Sequence, residues 1–254
     1  MILSPILNEQ YLLVFGLIVA FAAFSQGFMG LGFGIIAIAG IGFTPWDMER
    51  ATVVINLILI VLNCTIIYAG RKDFRINWKL VGVILAGEVV GVPLGYWFIF
   101  ALGNKPIFRL TLGLVLIIFA VNQLFRPTIK KALHMGFGVA AGVLGGFLAG
   151  GFTAAGPPLA LFIYSQHKNA ADAKGTLQVV FMTATLWRLS NIIMFGRGIT
   201  PQIVKIAVMS FPIIIVFAAL GHLVTRRVSS EMFVKVVYSF IGFAGIIYII
   251  KAIA

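Results

Sequence analysis

The chemistry this chain offers is that of backbone amides held open in apolar surroundings. Gly145–Pro158 reads GGFLAGGFTAAGPP inside a segment otherwise fit to span a membrane. Glycine is a poor helix former, and proline removes a donor and clashes with the preceding turn, so the run breaks the helix at membrane depth. Backbone freed there is tolerated only where it is buried in protein or lines a wet cavity, which makes the break a candidate binding site. Pro157 suits the first turn of a new half-helix, whose free N–H groups and positive dipole end attract anions. Gly27–Gly34, GFMGLGFG, repeats the design. It matches Gly146–Thr153 at Gly27/Gly146, Phe28/Phe147, Gly32/Gly151 and Phe33/Phe152, and the same offset of 119 pairs Pro93 with Pro212. Paired glycine-interrupted segments in two halves point to the binding site of a secondary transporter.

Side chains near the breaks extend this chemistry. Gln26 directly precedes the first break and Thr153 lies within the second. Asn56 and Asn63 are two turns apart on one helical face, and Gln178 and Thr185 repeat that spacing. They are placed to select an oxyanion or, alternatively, to bond helix to helix. Arg188, in TATLWRLSN, fits bidentate oxyanion binding or snorkelling to an interface. Glu88 precedes Pro93 by five residues and is either a proton acceptor (or counter-charge) or a partner that holds a basic side chain. The substrate-binding set is therefore Gln26, Gly30, Gly32, Phe33, Gly34, Asn56, Gly150, Gly151, Thr153, Ala154, Gly156, Pro157, Gln178 and Arg188, with Glu88 as the coupling residue. No catalytic residue is assigned, and neither a cofactor nor a metal is expected. His134, His167 and His222 are scattered and make no metal cluster. Neither glycine run ends in Gly-Lys-Ser/Thr, which argues against a nucleotide-driven motor.

The elements that must position these residues are membrane helices. In 254 residues, 61% are hydrophobic and 10% charged, and mean hydropathy is +1.09, values outside the range of a soluble domain. The net charge of +12 gathers in short turns between apolar runs, the positive-inside pattern rather than a nucleic-acid surface. Cys64 has no second cysteine with which to pair and is expected as a small buried hydrophobe. No cleavable signal peptide is apparent. Small residues from Gly136 to Gly142 suit close helix packing.

Tyr11–Phe43 is 33 residues long, too long for one span of about 20. A helix to about Gly27, a break and a half-helix from about Phe33 are expected. Thr44-Pro45, with Asp47 and Glu49 in the first turn, predicts the next helix start, Thr44 being the cap. Spans follow at about Glu49–Tyr68, Trp78–Phe100 with Pro93 interrupting it, and Ile107–Phe125. Arg126–Lys131 is the linker between an N-terminal repeat, residues 1–126, and a C-terminal repeat, residues 127–254. The second half has a broken segment over Met135–Tyr164, a polar loop holding His167, Lys168, Asp172 and Lys174, and spans at Gly175–Phe195, Ile203–Val224 and Glu231–Ile250, with a break at Gly196–Gly198.

If each broken segment crossed the bilayer once, the loop Lys and Arg would divide ten against eight. If each re-enters instead, positions 71, 72, 75, 79, 126, 130, 131, 168, 174, 226, 227 and 235 share one side and six face the other, which obeys the positive-inside rule better. The fold expected is thus an all-α polytopic membrane protein of two pseudo-symmetric, inverted four-segment halves, each opening with a glycine-broken, re-entrant segment.

The duplicated break, Gly156-Pro157-Pro158, Ala69-Gly70-Arg71-Lys72-Asp73-Phe74 and Gly91-Val92-Pro93-Leu94-Gly95 together resemble the TauE/SafE sulfite-exporter family of membrane permeases over nearly the whole chain. The resemblance implies secondary transport, in the direction of export, of small sulfur-containing anions such as sulfite, thiosulfate or sulfonates across the cell (inner) membrane. The implied partners are that anion and the lipid bilayer, no nucleic acid is expected, and a homodimer is one assembly left open. Rival readings are a permease for another organic anion or solute, an anion channel, and a non-transporting membrane subunit or intramembrane enzyme.

Overall fold

Two glycines in the left-handed region stop the first helix. The computed structural model describes residues 9–44, 46–103, 105–125, 133–195, 199–224 and 230–253. In it α1 (Glu9–Met29) ends where Gly30 adopts φ 80° and Gly32 φ 114°, conformations glycine reaches without a Cβ clash. The half-helix α2 (Phe33–Ile41) follows, and all nine of its residues are buried, as expected of a helix that is apolar on every side. Next come α3 (Met48–Gly70), α4 (Trp78–Leu102) and α5 (Pro106–Phe125). The second half repeats the order: α6 (Phe137–Phe152), the half-helix α7 (Gly156–Gln166), α8 (Ala170–Met194), α9 (Pro201–Val224) and α10 (Ser230–Ile253). The described residues hold no strand, and seven helices, all except α2, α6 and α7, are long and apolar enough to cross a membrane. The chain is a multi-pass membrane protein.

Both half-helices double back. Gly40, near the end of α2, lies against Ile18 in the middle of α1, and Trp46, just past α2, stacks on Phe15 with ring centroids 4.6 Å apart. In the second hairpin Gly145 of α6 lies against Leu159 of α7. Its two ends also meet, since Gln166 Nε2 donates to the Leu133 carbonyl at 2.7 Å. Around the hairpins α1 packs on α9, α6 on α4 and α5 on α10, and α3 packs on α8 and α9.

Some details differ from expectation. The cap of α3 is Asp47, whose carboxylate accepts from Arg50 N–H at 3.0 Å, while the Thr44 hydroxyl donates to Ile41 O; Pro45 lies outside the described residues. Helix α8 begins at Ala170, capped by Asn169, so Asp172 and Lys174 are in its first turns rather than in a loop. Pro93 does not end α4. Proline at that position frees the Val89 carbonyl one turn back, and the Trp187 indole N–H of α8 donates to it at 3.3 Å. Cys64 is exposed on the outer face of α3 rather than buried. The linker expected at 126–131, the Gly196–Gly198 break and the Arg226-Arg227 turn lie outside the described residues.

The α4–α6 contact is a glycine seam. A Cβ on Gly87, Gly91 or Gly95 of α4 would fall on the carbonyl oxygen of Val139, Val143 or Phe147 of α6, and one on Gly142 or Gly150 would fall on Ile84 or Val92 of α4. Without a hydrophobic driving force between helices in lipid, such close backbone approach supplies the packing attraction. Gly91→Ala should therefore lower the melting temperature of the detergent-purified protein, costing about 1–3 kcal/mol by overpacking. Gly82→Ala on the same helix, where a Cβ meets nothing, should leave it unchanged or raise it.

Candidate functional site

The two breaks meet. A Cβ on Gly34, in the first turn of α2, would fall on the carbonyl oxygen of Thr153, so only glycine lets the half-helix approach the opposite break. Beside this contact lies a cavity of about 40 Å³, room for about three waters at roughly 10–15 Å³ each, or one small oxyanion. Gln26, Gly32 and Gly34 line it from the first break, and Thr153, Ala154, Gly156 and Pro157 from the second. Helix α3 contributes Asn56. The walls also include residues outside the predicted set: Leu31, Ile35, Leu59, Asn63, Ala149, Ala155, Phe181, Ala184, Thr185 and Tyr238. The two-turn spacing had already singled out Asn63 and Thr185; Tyr238 of α10 had no local signal, because only tertiary packing carries it there.

Most polar groups near the breaks hold the backbone in place. Gln26 Oε1 accepts the Phe33 N–H at 3.0 Å, capping α2. Gln178 Nε2 donates to Gly30 O at 2.6 Å, and the aliphatic stem of Lys174 lies over Gly30. Gln178, Gly30 and the buried Phe33 are not among the cavity walls. At the second break Thr153 takes φ 54°, and its N–H and that of Ala154 donate to Ala149 O and Leu148 O, both at 3.1 Å. With Thr153 left-handed, its bond to the carbonyl four residues back closes α6 as an αL cap. Gly34, Ala155 and Gly156 N–H remain bonded to no described residue, and Pro157 and Pro158 have no N–H to offer.

Arg188 does not line the cavity. It is 1% exposed, and its Nε donates to Gly150 O at 2.7 Å, its Nη1 to Thr52 O at 2.8 Å and its Nη2 to Thr52 Oγ1 at 2.9 Å. The guanidinium ties α8 to α3 and caps the C-terminal end of α6, where a cation complements the helix dipole. Gly150 and Gly151 likewise lie outside the cavity, packed on α4. Asn56 Nδ2 reaches the Thr185 carbonyl at 3.3 Å, and so lines the cavity while joining α3 to α8. The Thr153 and Thr185 hydroxyls donate to Phe152 O and Phe181 O, each at 2.6 Å, which leaves their oxygens as acceptors. Glu88 is fully buried between α4, α6 and α8 and away from the cavity. Its Oε2 accepts from the Thr183 hydroxyl at 2.8 Å, and its Oε1 has no partner among the described residues. No metal-binding cluster occurs among the described residues.

A multi-pass helical bundle in which two half-helices bring their N-termini to a shared, largely apolar cavity with a few polar groups has the build of a membrane transporter. The sequence profile of the family described as "Sulfite exporter TauE/SafE" matches residues 15–248, and the chain belongs to that family, a family of membrane transporters rather than enzymes. It is similar to the probable sulfite/organosulfonate exporter TauE of Cupriavidus necator, at 25% identity over 87% of this chain and 84% of that one. It is also similar to the probable inner membrane transporter protein TsaS of Comamonas testosteroni, at 24% identity over 56% of this chain and 59% of that one. No solved structure matches.

Because Arg188 is bonded wholly to protein, Arg188→Met should act first on stability. Leaving Gly150 O and Thr52 unpaired in the interior costs about 1–3 kcal/mol per group, to be read as a lowered melting temperature. A variant that melts like the parent but no longer binds anions would instead show that Arg188 touches substrate.

Proposed function

We propose that this chain is a secondary transporter that exports small sulfur-containing oxyanions, such as sulfite, thiosulfate or sulfonates, across the inner membrane by alternating access. The observation that carries this reading is the cavity between the α2 and α7 N-termini, with Gly34 set against Thr153. Each half-helix end carries roughly half a positive charge, and the Gly34 and Gly156 N–H groups beside the cavity are bonded to no described residue. Gln26, Asn56, Asn63, Thr153 and Thr185 are polar side chains that line the space a guest would fill. The names of the two relatives, a sulfite/organosulfonate exporter and an inner membrane transporter, support the substrate class and the membrane. Expelling an anion from a negative interior is downhill by about 2.3 kcal/mol per charge per 100 mV.

The halves, 1–126 and 127–254, are inverted repeats on this reading. Exchanging the first five helices with the last five turns the α1–α9 contact into α6–α4 and returns α5–α10 and α3–α8 to themselves, which supports two-fold symmetry. The doubled-back hairpins support re-entry rather than crossing. So does the segregation of charge. Arg109 Nη1 and Lys251 carbonyl, and Lys251 Nζ and Gly42 carbonyl, gather at one end of the bundle, and Arg75 with Asp172 at a different place, the start of α8. Transport follows from rocking one half against the other about the cavity. Glu88, a buried carboxyl with one oxygen unpaired, is the proton-coupling group.

Purified protein in proteoliposomes should accumulate labelled sulfite by counterflow. Gly34→Val, which drives a side chain into the Thr153 carbonyl, should reduce the rate at least about tenfold, about 1.4 kcal/mol of lost function. Conductance without counterflow would identify a channel, and counterflow of carboxylates but not of sulfur anions would identify another permease. In Glu88→Gln, sulfite counterflow should persist while its response to a pH gradient disappears; an unaltered response would remove Glu88 from coupling.

A further inference from the structure

Beside its free N–H donors the cavity presents a buried acceptor that a bare oxyanion cannot satisfy. Asn63 is 0% exposed and lines the cavity, yet neither its Nδ2 nor its Oδ1 has a partner among the described residues. Whichever way the amide is turned, one donor and one acceptor stand unpaired at the wall. The Thr153 and Thr185 hydroxyls donate to Phe152 O and Phe181 O, and in that conformation their oxygens are left to accept. A fully deprotonated oxyanion can satisfy the Gly34, Ala155 and Gly156 N–H groups and Asn63 Nδ2, but its lone pairs leave Asn63 Oδ1 without a donor. A guest that keeps one O–H is the complement.

Charge points the same way. Among the lining residues only Tyr238 has an ionisable side chain. On α3 and the helices around it, apart from exposed groups, the titratable groups include Glu49 of α3, Arg188, bonded to Gly150 and Thr52, Glu88, held by Thr183, Lys174, whose stem covers Gly30, and Tyr96 of α4; none of these lines the cavity. The field on a guest comes mainly from two half-helix ends of roughly +0.5 each, together about one positive charge. One negative charge is balanced there; a second would be buried without a counter-charge, at a cost of several kcal/mol per ion.

Resting on the transporter reading above, we propose that the cavity selects a small oxyacid monoanion that retains one proton, and that Asn63 is its specificity-determining residue. The amide Nδ2 donates to a deprotonated oxygen, and Oδ1 accepts from the guest's O–H. Of the sulfur anions named above this narrows the cargo to sulfite, bound as hydrogen sulfite in its hydroxyl form, because thiosulfate and sulfonates keep no O–H near neutral pH.

Hydrogen carbonate and nitrate test this, because both are planar monoanions of similar size and only the first has an O–H. The full chain in detergent is titrated with each, and with sulfite and sulfate, at a pH between the first ionisation of carbonic acid and the second of sulfurous acid. Stabilisation against thermal unfolding reports binding. Wild-type protein should be stabilised by hydrogen carbonate and hydrogen sulfite at concentrations at least about tenfold below those needed for nitrate or sulfate. In Asn63→Leu the gap between hydrogen carbonate and nitrate should close. Should that variant fail to fold, Asn63→Ser, whose hydroxyl can donate one turn back to Leu59 O and still accept from the guest, should keep the preference at weaker affinity. Nitrate binding as well as hydrogen carbonate in the wild type, or a gap surviving in Asn63→Leu, overturns the assignment. Sulfite binding without any gap overturns it while leaving the sulfur-anion reading intact. A gap with no binding of sulfite does the reverse.

Discussion

A backbone carbonyl or amide released from a helix at membrane depth must find its partner in protein, because lipid offers none and each unmet group costs several kcal/mol. Much of this structure answers that requirement. Breaking two helices frees groups at Gly30, Phe33, Gly150 and the turn at Thr153, and side chains from distant parts of the chain meet them: Gln26 caps Phe33, Gln178 takes Gly30, and Arg188 takes Gly150. Even the proline inside α4 is treated this way, with Trp187 supplying the donor for Val89. Of the backbone groups that the breaks release, the Gly34, Ala155 and Gly156 N–H groups, bonded to no described residue, lie at the cavity between the half-helices.

Glycine performs the second task, which is distance. In water, burial of apolar surface would draw helices together; in lipid that drive is absent and contact must be won by fit. The α4–α6 seam gains its fit by omitting side chains from both faces, so that Gly87, Gly91 and Gly95 rest against carbonyls of α6. The same omission at Gly34 brings the first half-helix onto the carbonyl of Thr153. A hairpin that breaks and a seam that closes thus use one residue type for two physical reasons: at Gly30 and Gly32 a left-handed backbone, at Gly34 and Gly91 the absence of Cβ.

Helices α3 and α8 stand between the two hairpins and serve both. Asn56 reaches from α3 to the α8 carbonyl at Thr185, and Arg188 reaches from α8 to Thr52 on α3 and to the end of α6. Polar residues on these helices therefore divide into those that bind the bundle together and those that face the cavity. Asn56 does both, Arg188 only the first. Glu88 belongs to neither group: it is buried beside the glycine face of α6, bonded to one threonine.

The sequence by itself determined the spans, the positions of both breaks to within a few residues and the residues bordering them, because hydrophobic length, glycine and proline act locally. It left open which polar side chains support the breaks and which line the space between them. Arg188 and Asn63 show the difference. Each is a polar residue in an apolar helix, and each suited either an anion or a neighbouring helix. Tertiary packing decided, by bringing Thr52 and the Gly150 carbonyl to the guanidinium and no hydrogen-bond partner among the described residues to the Asn63 amide. Burial of Cys64 was misjudged for a related reason: an apolar helix in a membrane protein shows no polar face to mark its outside, so only the packing of α3 on α8 and α9 fixes which side meets lipid.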